Sequence, residues 1–185
     1  MKTATMNGND TRSLIAYFSR AGNNYVNGQI VNLPVGNTEF VAKMIHEMTG
    51  GDLFHIEPVK EYPKDYTETT EVARQELRTK ARPKLTGHVD TMASFEVIFL
   101  GYPIWWGTMP MPVCSFLEDY DFSGKTIAPF CTHEGSGLGQ SVADIRKMCP
   151  QSTVPDGLAI HGGDVKNAHD EVAGWLRDIG MNAKT

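Results

Sequence analysis

The 185-residue sequence has no apolar stretch near the ~20 residues that span a bilayer, which excludes a membrane-spanning helix. Cysteine is scarce. Cys114, Cys131 and Cys149 are the three present, and an odd number with no CxxC pair argues against a disulfide framework or a zinc site. They suit reduced thiols in a cytoplasmic protein. Basic runs are absent and the net charge is −5, which argues against nucleic acid, because phosphate contacts call for clustered Lys and Arg. Met1 to Arg12 lack the apolar segment of a secretory signal and read as a flexible tail. The sequon Asn9-Asp10-Thr11 within it is then fortuitous. Repeats, low-complexity tracts and long linkers are also missing. His161 and His169 flank a turn without carboxylate support, so no metal is assigned.

What is present is the make-up of a single globular domain over residues 13–185, with 41% hydrophobic and 21% charged residues. Short apolar runs alternate with helical patterns. Ser13 to Phe18 (SLIAYF) is of strand length, and residues 20–36, rich in Asn, Gly and Pro, read as a loop. Thr38 to Thr49 places Phe40, Val41, Met44, Ile45 and Met48 on one helical face, with Asn37 or Thr38 as cap and Gly50 as stop. Asp52 to Glu57 alternates like a strand. Residues 65–80 predict a helix largely in solvent, with Val72, Ala73 and Leu77 facing the core.

Val97 to Gly101 (VIFLG) is wholly apolar, as in a central parallel strand. A short helix over Val113 to Tyr120, a strand over Thr126 to Cys131 and a helix near 137–149 follow. A strand over Gly157 to Ile160 and a closing helix through Trp175 complete the chain. Five strands, each followed by a helix, imply an α/β fold with a parallel sheet covered on both faces. Ligands of such sheets bind beyond the carboxyl ends of the strands, at the topological switch point. The loops after strands one, three and four are therefore the candidate site.

In the first loop, Ser19 at a strand end and Asn37 with Thr38 at a helix start can converge on a phosphate, which needs donors rather than cations. Taken alone, this loop reads better as a turn residue and an N-cap. The second loop, Tyr102 to Pro112, carries Trp105 and Trp106 between prolines. A loop cannot bury both indoles, and an exposed indole suits stacking on a flat aromatic ligand. Alternatively one packs beneath the loop and the other covers an apolar edge. In the third loop, Thr132 to Gly139, three alternate glycines allow a backbone to approach a flat ring. His133 and Glu134 beside them are equally read as structural.

Competing motifs fail on spacing. Gly135-Ser136-Gly137-Leu138-Gly139 is not GxGxxG, Asp119 stands where a P-loop ending in Gly124-Lys125-Thr126 needs its first glycine, and Ser136 lacks the GxSxG frame.

The sequence resembles the flavodoxin family, above all bacterial flavodoxin-like proteins with a G-Y-P-I-W-W-G loop. The matching pieces are Ala16-Tyr17-Phe18-Ser19-Arg20, Gly36-Asn37-Thr38, Gly101 to Gly107, and Phe122-Ser123-Gly124-Lys125 leading into Pro129-Phe130-Cys131-Thr132-His133. The resemblance covers the chain from Ser13 to its last helix. It implies a flavodoxin-like three-layer α/β/α sandwich, a five-stranded parallel sheet of order 2-1-3-4-5, and one non-covalent FMN. By resemblance, Ser19, Arg20, Ala21, Asn37 and Thr38 belong to the phosphate loop. Pro103, Ile104, Trp105, Trp106 and Gly107 flank one side of the isoalloxazine, and Thr132, His133, Glu134, Gly135 and Gly137 the other. The family's single short S/T-x-T-G-N-T run is split here by an insertion over residues 22–35, where Asn23 and Asn24 are alternative phosphate donors.

The expected function is electron transfer through FMN to a redox partner protein or a small-molecule donor or acceptor, with no catalytic acid or base supplied by the chain. Backbone groups near Trp105 to Gly107 would bond the flavin N5, and Gly107 would let a peptide reorient. The alternative on the same fold is an NAD(P)H-dependent FMN-containing quinone or flavin reductase, with Arg20 and Arg146 as possible contacts for the nicotinamide phosphate. A third possibility is a cofactor-free binding domain.

Overall fold

The structure is a computed structural model that describes residues 11–181. The tail expected over residues 1–12 lies, through residue 10 and with Asn9 and Asp10 of the sequon, outside the described residues. Arg12, at its end, is fixed: it bonds Ser94 Oγ at 2.7 Å and Asp52 at 3.2 Å, and its guanidinium lies 4.5 Å from the Phe95 ring.

Among the described residues, five strands form the central sheet: β1 (Ser13–Tyr17), β4 (Asp52–His55), β5 (Val97–Pro103), β6 (Thr126–His133) and β7 (Leu158–His161). All are parallel, in the order β4-β1-β5-β6-β7, which is 2-1-3-4-5 counted along the sheet's own strands. The pleat sends alternate side chains to opposite faces. On β5, Ile98, Leu100 and Tyr102 join one core while Val97 and Phe99 join the other. Both faces are apolar because both are covered. Helices α1 (Asn37–Thr49) and α5 (His169–Asp178) cover one face, and α3 (Met111–Glu118) and α4 (Ser141–Met148) the other.

Helix α2 (Tyr66–Thr79) leans on the second layer with little apolar surface. Its start is capped by Asp65, whose carboxylate accepts from Glu68 N–H at 2.9 Å. Of the three residues expected to face the core, Ala73 is buried and Leu77 packs at the core's edge, but Val72 is 37% exposed. On α1, Gly50 ends the helix in the left-handed region as expected. The N-cap is Gly36, without any side-chain cap bond, and not Asn37 or Thr38. Thr38 is buried instead, its hydroxyl 2.8 Å from that of Thr132.

The main departure from the sequence-based expectation is in residues 20–36. These form an antiparallel hairpin, β2 (Gly22–Val26) and β3 (Gln29–Leu33), separate from the main sheet. Its turn is Asn27-Gly28, at φ 52° and 83°. Two consecutive positive φ values define the hairpin turn that Asn-Gly favours. A short 3₁₀ segment over Gly162–Asn167, also unanticipated, follows β7.

Candidate functional site

Two adjoining cavities open at the carboxyl ends of β1, β5 and β6, and the hairpin leans over them. The first, of about 260 Å³, runs from the start of α1 past Ile104 and Trp105 to Glu134 and Ser136. The second, of about 410 Å³, lies between the Trp loop and α2. Arg20, Asn24, Tyr66, Ile104 and Trp105 border both.

The two halves of the split loop meet at Gly36. A Cβ there would lie 2.2 Å from Ser19 Oγ and 2.7 Å from Arg20 O, so glycine is required by contact. Ser19 Oγ accepts from Glu39 N–H at 3.1 Å, which leaves its own proton to donate. The Ser19 carbonyl is steadied by His55 Nε2 at 3.3 Å, and His55 stacks on Tyr17 at 4.8 Å. With no side-chain cap on α1, the N–H groups of Asn37 and Thr38 stay available at the positive end of the helix dipole.

Arg20 points elsewhere. Its guanidinium donates to the carbonyls of Asn23, Pro63 (2.8 Å) and Lys64 (2.9 Å), tying the hairpin base to the segment before α2. Burial lowers its pKa, against the nearby Asp65 and Tyr66.

The Trp loop is rigid. Trp105 is braced edge-on by Phe18 at 5.2 Å and Tyr62 at 5.1 Å. Trp105 and Thr108 pair across a tight turn formed by Trp106 (φ 53°) and Gly107 (φ 81°). A left-handed tryptophan costs about 1–2 kcal/mol. Trp106 is offset by a bond from its Nε1 to Thr70 O at 2.9 Å, and it stays 52% exposed. The Gly107 carbonyl accepts from Gln140 N–H at 2.8 Å, an approach that only glycine at 139 permits, since a Cβ there would lie 2.3 Å from that oxygen. Thr108 Oγ1 donates to Asp144 at 2.6 Å, so the loop is also pinned to α4. The Trp106 carbonyl and Gly107 N–H have no hydrogen-bond partner among the described residues.

Glu134 closes the far wall. One carboxylate oxygen, Oε2, accepts from Asn27 N–H at 2.9 Å and lies 3.6 Å from His161 Nε2. The other, Oε1, is buried without a partner. A Cβ at Gly162 would lie 2.3 Å from Oε1 and 2.8 Å from Asn37 Nδ2, so glycine lets these groups share the space. His133 Nδ1 accepts from Gly135 N–H at 2.9 Å, and burial, then His161, lower its pKa.

Of the residues singled out from sequence, Ser19, Arg20, Asn37, Thr38, Pro103, Ile104, Trp105, Thr132, His133 and Glu134 line the first cavity. Trp106 borders only the second. Ala21, Gly107, Gly135 and Gly137 border neither. Asn24, one of the two alternative phosphate donors, also lines the first cavity, as do Tyr25, Tyr66, Ser136 and Gly162, which were not singled out. The Asn-Gly turn signal at Asn27-Gly28 could have placed Asn24 and Tyr25 on a hairpin strand. Nothing local marked Tyr66 or Gly162. Among the described residues no group of three or more His, Cys, Asp or Glu is arranged to hold a metal ion, and no helix is long and apolar enough to cross a membrane.

No curated protein matches the sequence. Solved structures do. A candidate flavoprotein from Bacteroides eggerthii is 26% identical with a TM-score of 0.76, the match covering 94% of this chain and 100% of that one. A second candidate flavoprotein, from Bacteroides uniformis, is 26% identical with a TM-score of 0.69 over 90% and 97% of the two chains. A Lactobacillus acidophilus flavoprotein in complex with FMN, 18% identical with a TM-score of 0.61 over 88% and 99%, shares the fold. The family model described as Flavodoxin matches residues 12–179, nearly the whole length, and the chain belongs to the flavodoxin family.

Proposed function

We propose that the first cavity holds one FMN non-covalently and that the protein transfers electrons through it to or from a redox partner. The observation that carries this is the meeting, in one cleft at the strand ends, of the uncapped start of α1 with an unpartnered buried carboxylate oxygen, above a floor of Ile104 and Trp105.

The donor set fits the cofactor part by part. A phosphate at the start of α1 would meet the N–H groups of Asn37 and Thr38, the Ser19 hydroxyl and the Asn37 amide. A sugar-alcohol chain would bring hydroxyl donors to Glu134 Oε1, a buried acceptor whose lack of a partner is costly. A flat ring system would lie against Ile104 and Trp105, with the Thr132–Ser136 segment at its edge. When bound, FMN supplies the reversible uptake of electrons. The chain supplies orientation and electrostatics. The guanidinium lining the cleft, Arg20, turns its terminal nitrogens to backbone carbonyls and away from the ring. The unbonded Trp106–Gly107 peptide can offer a carbonyl or an N–H to a polar ring edge.

Titration of the purified protein with FMN tests the proposal. One equivalent taken up with quenching of flavin fluorescence is expected, and a colourless protein that takes up none overturns it.

The second cavity beside the first favours a further reading, an NAD(P)H-dependent flavin or quinone reductase, because a small-molecule donor or acceptor has room there. Rapid bleaching of bound flavin by NADPH without a partner protein would select the reductase over the carrier.

A further inference from the structure

Tyr62 and Glu76 line neither cavity of the cleft, yet they form a hydrogen-bonded pair against its floor. Tyr62 lies between β4 and α2, and Glu76 on α2. The Tyr62 hydroxyl donates to Glu76 Oε2 at 2.6 Å. Among the described residues no other tyrosine hydroxyl donates to a carboxylate: Tyr102 meets Ser141 Oγ, and Tyr120 meets His88 Nδ1. Both members of the pair are half-buried. Burial, foremost, drives the Tyr62 phenol far above its ordinary 10, so it holds its proton at rest. Burial also raises the Glu76 carboxylate, against the Tyr62 bond and the charge of Lys60, which makes it a stronger base than an exposed glutamate.

One side of the pair faces the cleft. The Tyr62 ring meets Trp105 edge-on at 5.1 Å and Phe18 at 5.9 Å. Trp105 in turn lines the first cavity. The other side faces outward. Tyr62 and Glu76 line an open groove of about 610 Å³ with Val59, Lys60, Val72 and Arg82. Rings in contact thus run from the cofactor cavity, through Trp105 and Tyr62, to a surface that a solute can reach.

That arrangement suits one-electron chemistry. A phenol resists oxidation because its radical cation is a very strong acid, so the proton has to leave with the electron. A carboxylate already in hydrogen-bond contact accepts that proton, as a positioned base does. An indole carries the positive charge without such help, so it can relay an electron from a neighbouring phenol.

We propose that Tyr62 is a redox-active tyrosine that supplies an electron, through Trp105, to a one-electron oxidant in the first cavity. The oxidant, a light-excited flavin where FMN is bound, takes one electron from Trp105 and is reduced. Tyr62 then refills Trp105. Its O–H bond breaks, the electron passes to the indole and the proton to Glu76 Oε2, leaving a neutral phenoxyl radical beside a carboxylic acid. A one-electron reductant reaching the groove, such as ascorbate, restores Tyr62 as Glu76 gives the proton back. The relay drains oxidising equivalents from the cavity and spares Trp105. It rests on the FMN reading only for the identity of the oxidant.

Flash photolysis of the FMN-loaded protein, with a cobalt(III) ammine to reoxidise the flavin, tests this by transient absorption and electron paramagnetic resonance. A tyrosyl radical is expected, its spectrum narrowed by ring-deuterated tyrosine. It should be lost in Tyr62→Phe, where a tryptophan radical remains. Glu76→Gln keeps an acceptor oxygen for the Tyr62 hydroxyl but is no base, so a merely structural hydrogen bond survives it. In that variant tyrosyl formation should slow about a hundredfold, the contribution of a positioned base, while FMN affinity and near-ultraviolet circular dichroism do not change. No tyrosyl radical, an undiminished one in Tyr62→Phe, or an unchanged rate in Glu76→Gln would each overturn the proposal. If the protein takes up no FMN, a flash-generated ruthenium(III) polypyridyl complex replaces it as oxidant. The difference between wild type and the two variants then still decides, and only the FMN reading falls.

Discussion

The backbone N–H of Asn27, at the tip of the hairpin, donates to Glu134 Oε2 at 2.9 Å, joining the insertion to the end of β6 across 107 positions of sequence. The same carboxylate keeps Oε1 buried and unpartnered on the cavity side. One side chain thus serves the hairpin with one oxygen and the cleft with the other. A Cβ at Gly163 would lie 2.5 Å from the Asn27 amide, so the hairpin tip is seated closely on the segment after β7 as well.

Glu134→Ala should release the hairpin. A hydrogen bond to a charged group contributes roughly 1.5–3 kcal/mol, less where the partners are partly exposed. Amides of residues 22–33 are therefore expected to exchange about tenfold faster, while those of β1, β5 and β6 do not change. Glu134→Gln, which keeps an acceptor oxygen, should restore protection. Hydrogen-exchange mass spectrometry makes the comparison, and equal hairpin protection in the alanine variant would refute the latch.

Gly36→Ala should separate the halves of the split loop. Gly36 sits at φ −64°, ψ 151°, a conformation alanine adopts freely, so the effect is one of contact with Ser19 Oγ and Arg20 O. Overpacking of this kind costs about 1–3 kcal/mol. A denaturant titration should show that loss. FMN affinity, on the proposal above, should fall by more than about tenfold. An unaltered affinity would detach the phosphate from this junction.

His133 should make stability fall in mild acid. Its Nδ1 can accept the Gly135 N–H only when unprotonated. Burial first, and His161 second, hold its pKa below the ordinary 6.5. The unfolded chain then binds the proton more readily than the native one, so this contribution is absent above pH 6.5 and lowers stability as pH drops from there toward the native value. His133→Asn, able to accept the same N–H, should flatten the slope of unfolding free energy against pH in that window. An unchanged slope would remove His133 from the explanation.

The thiols should be inert in the native protein. All three cysteines are free and buried, and burial pushes Cys114 up to about 11 and Cys131 up to about 12, with Cys149 also raised. The thiolate is the reactive form. A disulfide-exchange reagent at neutral pH should label none of them within minutes and all three once the protein is unfolded. Fast native labelling would mean that the core opens readily around β6.

Much of the cleft was legible in the sequence because strand, loop and helix signals are local. The apolar runs at Ser13 to Phe18 and Val97 to Gly101 announce buried parallel strands, and parallel strands direct the search to the loops at their carboxyl ends. Trp105 and Trp106 could be separated from the core because adjacent residues in a loop cannot both be buried, and one half-buried with the other exposed is the arrangement observed. The hairpin was readable too: Asn27-Gly28 is a hairpin turn signal, but abundant Asn, Gly and Pro around it resemble a loop. Tyr66 and Gly162 were not readable as site residues, because each reaches the cleft through the docking of a different element.

By itself the sequence determined the succession of the five sheet strands and their helices, the doubly covered sheet and hence the rim at which a ligand can lie, because hydrophobic period is a property of neighbouring residues. Only the tertiary structure decided that Gly36 closes on Ser19, that Glu134 holds the hairpin while leaving one oxygen to the cleft, and that α2 and Trp106 enclose a second cavity. These depend on distances between segments far apart in the chain, which packing sets and local pattern does not carry.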